Sequence, residues 1–209
     1  MYNKSKEHTK SIAIYPGSFD PIHNGHVATV RAAQRALGLD KVLFLPTAVP
    51  PHKPGRVLAP AHARYAMVEL ALLDQEGLEA SPHELTLGRP AYTIETLEHF
   101  RRERPEDELF LLMGEDSFVD LTHWVRYREI VEAARVVVLA RPGWDSLSAD
   151  LAPELREIAA GGRVTFLEQE QVDVSSTRIR ERLRDGLPLS REVVPELVIR
   201  YLRKYPLYR

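Results

Sequence analysis

The chain has 209 residues, of which 44% are hydrophobic, and its 28 basic residues against 30 acidic ones give a net charge of −2. This composition is typical of one globular domain and excludes fibrous and disordered classes, while the near-neutral charge argues against a dedicated nucleic-acid binder. No apolar run reaches the roughly 20 residues that a membrane-spanning helix needs, and residues 1–10 lack a signal peptide's apolar stretch. We therefore expect a cytoplasmic protein with no membrane partner, and the absence of cysteine excludes disulfides and thiolate chemistry.

Strand-like and helix-like segments alternate along the chain after this polar start. The sequence predicts strands over residues 11–15, 41–46, 78–81, 108–113, 135–139 and 164–167. It predicts helices over residues 23–37, 61–73, 92–104, 150–160, 176–184 and 195–205. Such alternation favours an α/β fold, a Rossmann-like parallel sheet with helices on both faces, whose ligands bind beyond the carboxyl ends of the strands.

The same pattern predicts how the chain divides into parts. We expect residues 1–10 to be a disordered tail and residues 11–209 to form a single domain, of which about 170–209 is a small helical C-terminal region. No internal repeat and no low-complexity linker marks a boundary within the domain.

The loop after the first predicted strand holds the densest group of candidate functional residues. A helix that begins here presents free N–H groups to an anion, and Gly17 lets the backbone approach a phosphate closely. His23 and His26 lie three residues apart and project from the same side of that helix. We therefore predict a positive cradle for a polyphosphate. A capped helix start with two surface histidines and a zinc-binding histidine pair are the alternatives.

The segment GSFDPIHNGH, residues 17–26, resembles the signature of the nucleotidyltransferase superfamily that carries an (H/T)xGH motif. Further segments follow in the order seen in bacterial nicotinate mononucleotide adenylyltransferases: PPHK (50–53), YTIETL (92–97), GED (114–116), HW (123–124), ARPG (140–143) and VSSTRIR (174–180). The resemblance to that family covers residues 12–180. It implies transfer of AMP from ATP to nicotinate mononucleotide in NAD biosynthesis, with deamido-NAD and pyrophosphate as products and Mg²⁺ held mainly by the ATP phosphates.

The resemblance also implies roles for individual residues, in three sets. The catalytic set is His23, His26, Lys53 and Arg178. The ATP and phosphate contacts are Gly17, Ser18, Phe19, Gly25, His52, Ser175, Ser176 and Thr177. The nicotinate mononucleotide contacts are Tyr92, Thr93, Asp116, Trp124 and Arg141.

General chemistry supports several of these roles and leaves simpler interpretations open. The loop over residues 47–59 is stiffened by prolines and carries His52 and Lys53, or it is a rigid connector with a solvated lysine. Arg178 follows a capped helix start and offers a two-pronged phosphate clamp, whereas the charges from Arg180 onward are interpreted as a solvated face. The indole of Trp124 offers a face for a pyridine ring, or it is plain core.

Two other functions stay open at this point. Pro16 stands where the nicotinate mononucleotide family more often has glycine, and YPGSFDP resembles pantetheine-phosphate adenylyltransferase, a shorter enzyme without the PPHK and tryptophan segments. The alternative from another class is a nucleotide-binding sensor that keeps the cradle and transfers nothing. Homo-oligomerisation has no signature in the sequence and is left open.

Overall fold

The computed structural model describes residues 9–48, 58–140, 143, 151–168 and 174–208. In these ranges the strands are β1 (Ser11–Gly17), β2 (Lys41–Pro46), β3 (Leu78–Ala80), β4 (Glu108–Gly114), β5 (Arg135–Ala140) and β6 (Val164–Glu168). They form one parallel sheet in the order β3-β2-β1-β4-β5-β6. The chain reverses its direction of travel across the sheet between β1 and β4, and α/β sheets bind ligands at such a switch point.

Helices connect the strands, and the predicted α/β fold is confirmed. The helices are α1 (Asn24–Leu37), α2 (Ala61–Leu72), α3 (His83–Thr86), α4 (Thr93–Glu103), α5 (Glu115–Val119), α6 (Tyr127–Ala133), α7 (Pro153–Ala160), α8 (Ser176–Arg184) and α9 (Glu196–Lys204), with a 3-10 turn at Leu121–His123. The predicted strands and long helices begin and end within a few residues of these bounds. The helices α3, α5 and α6 were not predicted, because one or two turns are too short for a 3.6-residue period to show.

Successive residues of each strand face opposite sides of the sheet, which builds two apolar clusters. In β1, Ala13 joins the cluster formed with α1, α2 and α9, whereas Ile12 and Ile14 join the cluster formed with α4, α6 and α7. Burial on both faces explains why strands such as β2, whose last five residues are all buried, are almost continuously apolar. The sheet therefore holds its carboxyl edge rigidly between two cores.

The helical segment after β6 packs on the same core as the first half of the sheet. Ile179 of α8, Val198 and Leu202 of α9, and Tyr208 beyond α9 are all buried in the cluster that contains Ala13. This places the end of the described chain beside the loop that follows β1. The division of the chain into a tail, one domain and a helical end stays a prediction. Across the described ranges, none of the helices combines the length and the apolar character needed to traverse a bilayer.

Candidate active site

The loop that follows β1 is shaped by the side chain of Phe19. Phe19 is 3% exposed and adopts φ of 43°, and its ring covers Gly17 so closely that a Cβ there would lie 2.7 Å from Phe19 Cζ. The same ring meets the His26 ring edge-on, with centroids 5.3 Å apart. Gly17 is thus required by the packing of Phe19, a reason that differs from the close phosphate approach expected from the sequence. Only the backbone of Phe19 is left for nucleotide contact.

His23 and His26 form a stacked pair at the start of α1. Their ring centroids lie 3.7 Å apart with 25° between the planes. His23 is the N-cap residue, and its N–H donates to His26 Nδ1 at 3.2 Å. An accepting Nδ1 places the proton of the neutral imidazole on Nε2, so His26 offers an N–H donor from that atom.

Both imidazoles are neutral at pH 7 in the free protein. Burial lowers the pKa of His23 to about 4, because the charged imidazole would lose its hydration. Its buried Nδ1 has no hydrogen-bond partner among the described residues. Burial, and to a smaller extent the His23 imidazole, hold the pKa of His26 well below its usual value. The prediction of a positive cradle is therefore wrong for these two side chains. They act as hydrogen-bonding groups rather than as cations.

The positive potential at this point comes from the helix start itself. The Asn24 N–H donates to Val193 O and the His26 N–H to His23 O, both at 3.0 Å. Gly25 is buried, and its N–H has no partner among the described residues. An unpaired N–H in the first turn of a helix is a donor for an anion, and the phosphate contact of Gly25 stays a prediction.

A second helix start meets the same loop. Ser176 Oγ donates to Pro21 O at 2.9 Å, and an Arg180 guanidinium N–H donates to Asp20 O at 2.6 Å. Ser175 caps α8 by accepting from the N–H of Arg178 at 3.3 Å. The predicted phosphate-binding segment over residues 175–178 therefore begins beside the residues that lead into α1. The interpretation of Arg180 as solvated was wrong, because its side chain is 19% exposed and lies against Asp20.

A buried carboxylate ties these elements to the loop after β2. Asp20 is 2% exposed, and its Oδ1 accepts from the Ala59 N–H at 3.1 Å and from the Tyr208 hydroxyl at 2.8 Å. Its Oδ2 lies 3.6 Å from Arg180 Nη1. A buried charge is stable only where such partners surround it, so Asp20 fixes the positions of three separate segments.

A buried arginine holds both ends of the loop over residues 47–59. Arg64 of α2 is 1% exposed, and its guanidinium donates to Ser18 O at 2.7 Å and to Thr47 O at 2.7 Å. It also donates to Ala48 O at 3.2 Å and to Ala59 O at 2.9 Å. Burial lowers the pKa of Arg64, and Asp20 and Tyr208 oppose that shift, so the guanidinium stays charged. We call Asp20, Arg64, Arg180 and Tyr208 the polar hub.

The residues predicted to bind the mononucleotide lie at the starts of α4 and α5 and just after the 3-10 turn. Tyr92 caps α4 and Thr93 begins it. Asp116 is exposed in the first turn of α5, directly after β4. Trp124 is partly buried and packs on the core cluster that contains Ile14. Helices that return the chain between parallel strands begin at the carboxyl edge, so the topology places these groups at the same edge as His23.

Some predictions cannot be placed. His52, Lys53 and Arg141 lie outside the described residues. The zinc alternative has no support within the described ranges, where no group of three potential ligands is placed to hold a metal ion.

Sequence reasoning missed Asp20, Arg64 and Tyr208. A signal was present for Arg64, which shares the helical stripe of the buried residues Met67 and Val68 at spacings of three and four residues. An arginine on an apolar stripe indicates a buried ionic contact. No local pattern connects Tyr208 with Asp20, which are 188 residues apart in the chain.

The sequence matches the model of the cytidylyltransferase-like family over residues 14–182. This defines the protein class as a nucleotidyltransferase with the site at the switch point of a parallel sheet. Two relatives are each described as a probable nicotinate-nucleotide adenylyltransferase. The Thermus thermophilus protein is 40% identical, over 95% of this chain and 99% of its own, and the Clostridium tetani protein is 36% identical, over 96% and 100%. The chain therefore belongs to the nicotinate-nucleotide adenylyltransferase family.

Solved structures show the same fold at lower identity. The Plasmodium falciparum nicotinic acid mononucleotide adenylyltransferase in complex with APC aligns with a TM-score of 0.73 at 17% identity, over 95% of this chain and 97% of that one. The same enzyme in complex with NaAD gives a TM-score of 0.72 at 16% identity, over the same shares of the two chains.

Removing the hydroxyl of Tyr208 should destabilise the protein. We expect Tyr208→Phe to lower the free energy of unfolding by about 2 kcal/mol, because Asp20 loses a buried charge-assisted hydrogen bond. Urea unfolding measures this difference. Tyr205→Phe is the matched control, since that side chain is 43% exposed, and its change should stay within about 0.5 kcal/mol. Equal losses in the two variants would contradict the role of the hub.

The pKa of His23 predicts a pH dependence of stability. Because its folded-state pKa of about 4 lies below the ordinary 6.5, His23 stabilises the folded state above pH 6.5, and this contribution is lost as the pH falls towards 4. Its full size is on the order of 3 kcal/mol. Urea unfolding between pH 4 and 7 should therefore show a steeper loss for the wild type than for His23→Asn. His62→Asn, at an exposed position, is the control, and identical slopes for wild type and His23→Asn would reject the burial of a neutral imidazole.

Proposed function

We propose that the site transfers AMP from ATP to nicotinate mononucleotide, giving deamido-NAD and pyrophosphate. The observation that carries the proposal is the meeting of two helix starts, α1 and α8, on one loop that also presents the stacked His23 and His26. Family membership identifies the reaction, and the relatives named above identify the acceptor. A cytoplasmic location stays a prediction.

The transfer requires no general base. The acceptor phosphate has a second pKa of about 6, so one of its oxygens is a nucleophile at pH 7. That oxygen forms a bond to the α-phosphorus of ATP, and the bond between the α-phosphorus and the bridging oxygen breaks as pyrophosphate leaves with its electron pair. No proton has to be removed from the nucleophile, so His23 and His26 are not needed as bases. Neutral imidazoles therefore suit this chemistry.

His26 stabilises the charge that develops during the transfer. Its Nε2–H donates to an α-phosphoryl oxygen, and the Gly25 N–H supplies a second donor from the helix start. His23 orients His26, because it stacks on the ring and its N–H fixes the tautomer. Preorganised donors of this kind need no rearrangement as the transition state forms.

The α8 start holds the triphosphate from the other side. Ser175, Ser176 and Thr177 lie in and next to the first turn of α8, and Arg178 lies in that turn, where a guanidinium binds two phosphate oxygens at once. By the family resemblance we assign Lys53 and His52 to the triphosphate, where they neutralise charge as the α-phosphorus is attacked.

The starts of α4 and α5 bind the acceptor. The helix start around Tyr92 and Thr93 receives the pyridine carboxylate, where the Tyr92 N–H donates to Glu95 Oε2 at 3.4 Å in this structure. Trp124 stacks on the pyridine ring. Asp116 orients the acceptor, and Arg141 meets its phosphate. These roles extend the family resemblance. The fold gives positions to Tyr92, Thr93, Asp116 and Trp124, whereas Arg141 lies outside the described residues.

Mg²⁺ fits this site as a partner of ATP rather than as a resident ion. Within the described ranges no group of three histidine, aspartate or glutamate side chains is placed to hold a metal ion, and Asp20 Oδ1 already accepts from Ala59 and Tyr208. The triphosphate would therefore supply most of the hard oxygen ligands, and Mg²⁺ bound there would supply positive charge to the phosphates. The residues of this chain then orient the complex of ATP with Mg²⁺.

Assay of pyrophosphate release with ATP, Mg²⁺ and one acceptor at a time tests the proposal. We expect turnover with nicotinate mononucleotide and deamido-NAD as the adenylylated product. Turnover only with 4′-phosphopantetheine would support the runner-up function. Saturable ATP binding without turnover of any acceptor would indicate a sensor.

The role of His26 has its own test. We expect His26→Ala to lower kcat by about a hundredfold or more while the protein stays folded, because one transition-state donor is lost. Steady-state pyrophosphate release and circular dichroism measure the two quantities. His62→Ala, on the exposed side of α2, is the matched control and should keep wild-type kinetics. Pyrophosphate release by His26→Ala near the wild-type rate would exclude the assigned role.

A further inference from the structure

A buried carboxylic acid lies next to the predicted acceptor site and has no part in the reaction. Glu84 belongs to the short helix α3 and is only 3% exposed. A carboxyl group in such a position is costly unless it is hydrogen-bonded or neutral. The burial of Glu84 therefore indicates a structural or functional role for this side chain.

The hydrogen bond of Glu84 joins two helices. The Thr96 hydroxyl of α4 donates to Glu84 Oε1 at 3.2 Å, and Thr96 is itself 2% exposed. Burial raises the pKa of Glu84 to about 7, and the bond from Thr96 opposes the shift. The pair is thus a buried polar contact in an otherwise apolar face of α4, formed by Ile94, Leu97 and Phe100.

A second contact holds α4 about one turn after Thr96. His83 of α3 stacks on His99 of α4 with ring centroids 3.8 Å apart and 12° between the planes. The segment before α3 is in turn fixed to the sheet, because the Ser81 N–H donates to Phe44 O of β2 at 2.8 Å. The end of β2, α3 and α4 are therefore connected in series.

The start of α4 lies about one turn before Thr96. Tyr92 and Thr93, the residues assigned to the pyridine carboxylate, precede Thr96 by four and three positions. Apolar contacts hold α4 against the core but are non-directional, whereas a buried hydrogen bond has a fixed length and angle. The bond between Thr96 and Glu84 is a buried directional contact about one turn from these two residues. The bonds of Glu95 with Arg89 and with the Tyr92 N–H are exposed to solvent.

We infer that Glu84 is a positioning residue for the acceptor half of the site, acting through Thr96 to set where the first turn of α4 meets nicotinate mononucleotide. The inference rests on the proposed function, since it names the acceptor. ATP binds at the α1 and α8 starts, so its affinity should not depend on this pair.

Kinetics with both substrates varied test the inference. We expect Thr96→Val, which keeps the shape and removes the hydroxyl, to raise the KM for nicotinate mononucleotide about tenfold, as the loss of one buried hydrogen bond would. The KM for ATP should change by less than about twofold, within the scatter of a surface substitution. Thr96→Ser keeps the hydroxyl donor, and Glu84→Gln keeps a carbonyl acceptor. Each variant should therefore retain nearly wild-type KM values.

Thr86→Val is the matched control. Its hydroxyl donates to His83 O at 2.8 Å within α3 and is exposed, so the same substitution removes a bond that does not reach α4. A Thr96→Val variant that raises both KM values equally, or neither, would overturn the inference while leaving the proposed function intact. A wild-type enzyme that transfers nothing to nicotinate mononucleotide would overturn both.

A double variant guards against loss of folding. If Thr96→Val alone does not fold, Glu84→Met with Thr96→Val removes both polar groups and leaves a packed apolar contact. This variant should melt as a folded protein and still show the raised KM for nicotinate mononucleotide. Wild-type KM values for that acceptor in the folded double variant would reject a positioning role.

Discussion

The site depends on two buried charged side chains, Asp20 and Arg64. Both find their hydrogen-bond partners only when the surrounding loops adopt this arrangement. Asp20 and Arg64 are 2% and 1% exposed, and an unpaired charge at such depth costs several kcal/mol. The carbonyls of Ser18, Thr47 and Ala59 must therefore lie within reach of one guanidinium. The loop after β1, the described ends of the loop after β2 and the start of α8 are thus held together before a ligand arrives. Preorganised donors require this kind of rigidity.

Neutral donors and the assigned cations, Lys53 and Arg178, act together in the proposed reaction. Both kinds of group stabilise the negative charge that develops on the transferring phosphoryl group. A hydrogen bond from His26 Nε2 to an α-phosphoryl oxygen strengthens as negative charge accumulates there. The low pKa of His23 and His26 is therefore consistent with their assigned roles, and the helix starts supply the attraction for phosphate.

The fold was predictable because β2, β4 and β5 are buried along most of their length and each long helix repeats its apolar residues regularly. The start of α1 was predictable as well, since Gly17, His23 and His26 are crowded into one loop. The protonation of the imidazoles was not, because it depends on stacking and burial. Arg180 was misinterpreted because it begins a run of charged residues, and only the fold reveals that it meets Asp20. Contacts between distant parts of the chain leave no local pattern.

The most direct test of a preformed phosphate site is a crystal structure with a non-hydrolysable ATP analogue. We expect the α-phosphate to lie within about 3 Å of His26 Nε2 and of the Gly25 nitrogen, at hydrogen-bond distance. The four hydrogen bonds from Arg64 should be unchanged from the free protein. A triphosphate bound away from both helix starts, or a rearranged polar hub, would contradict the account.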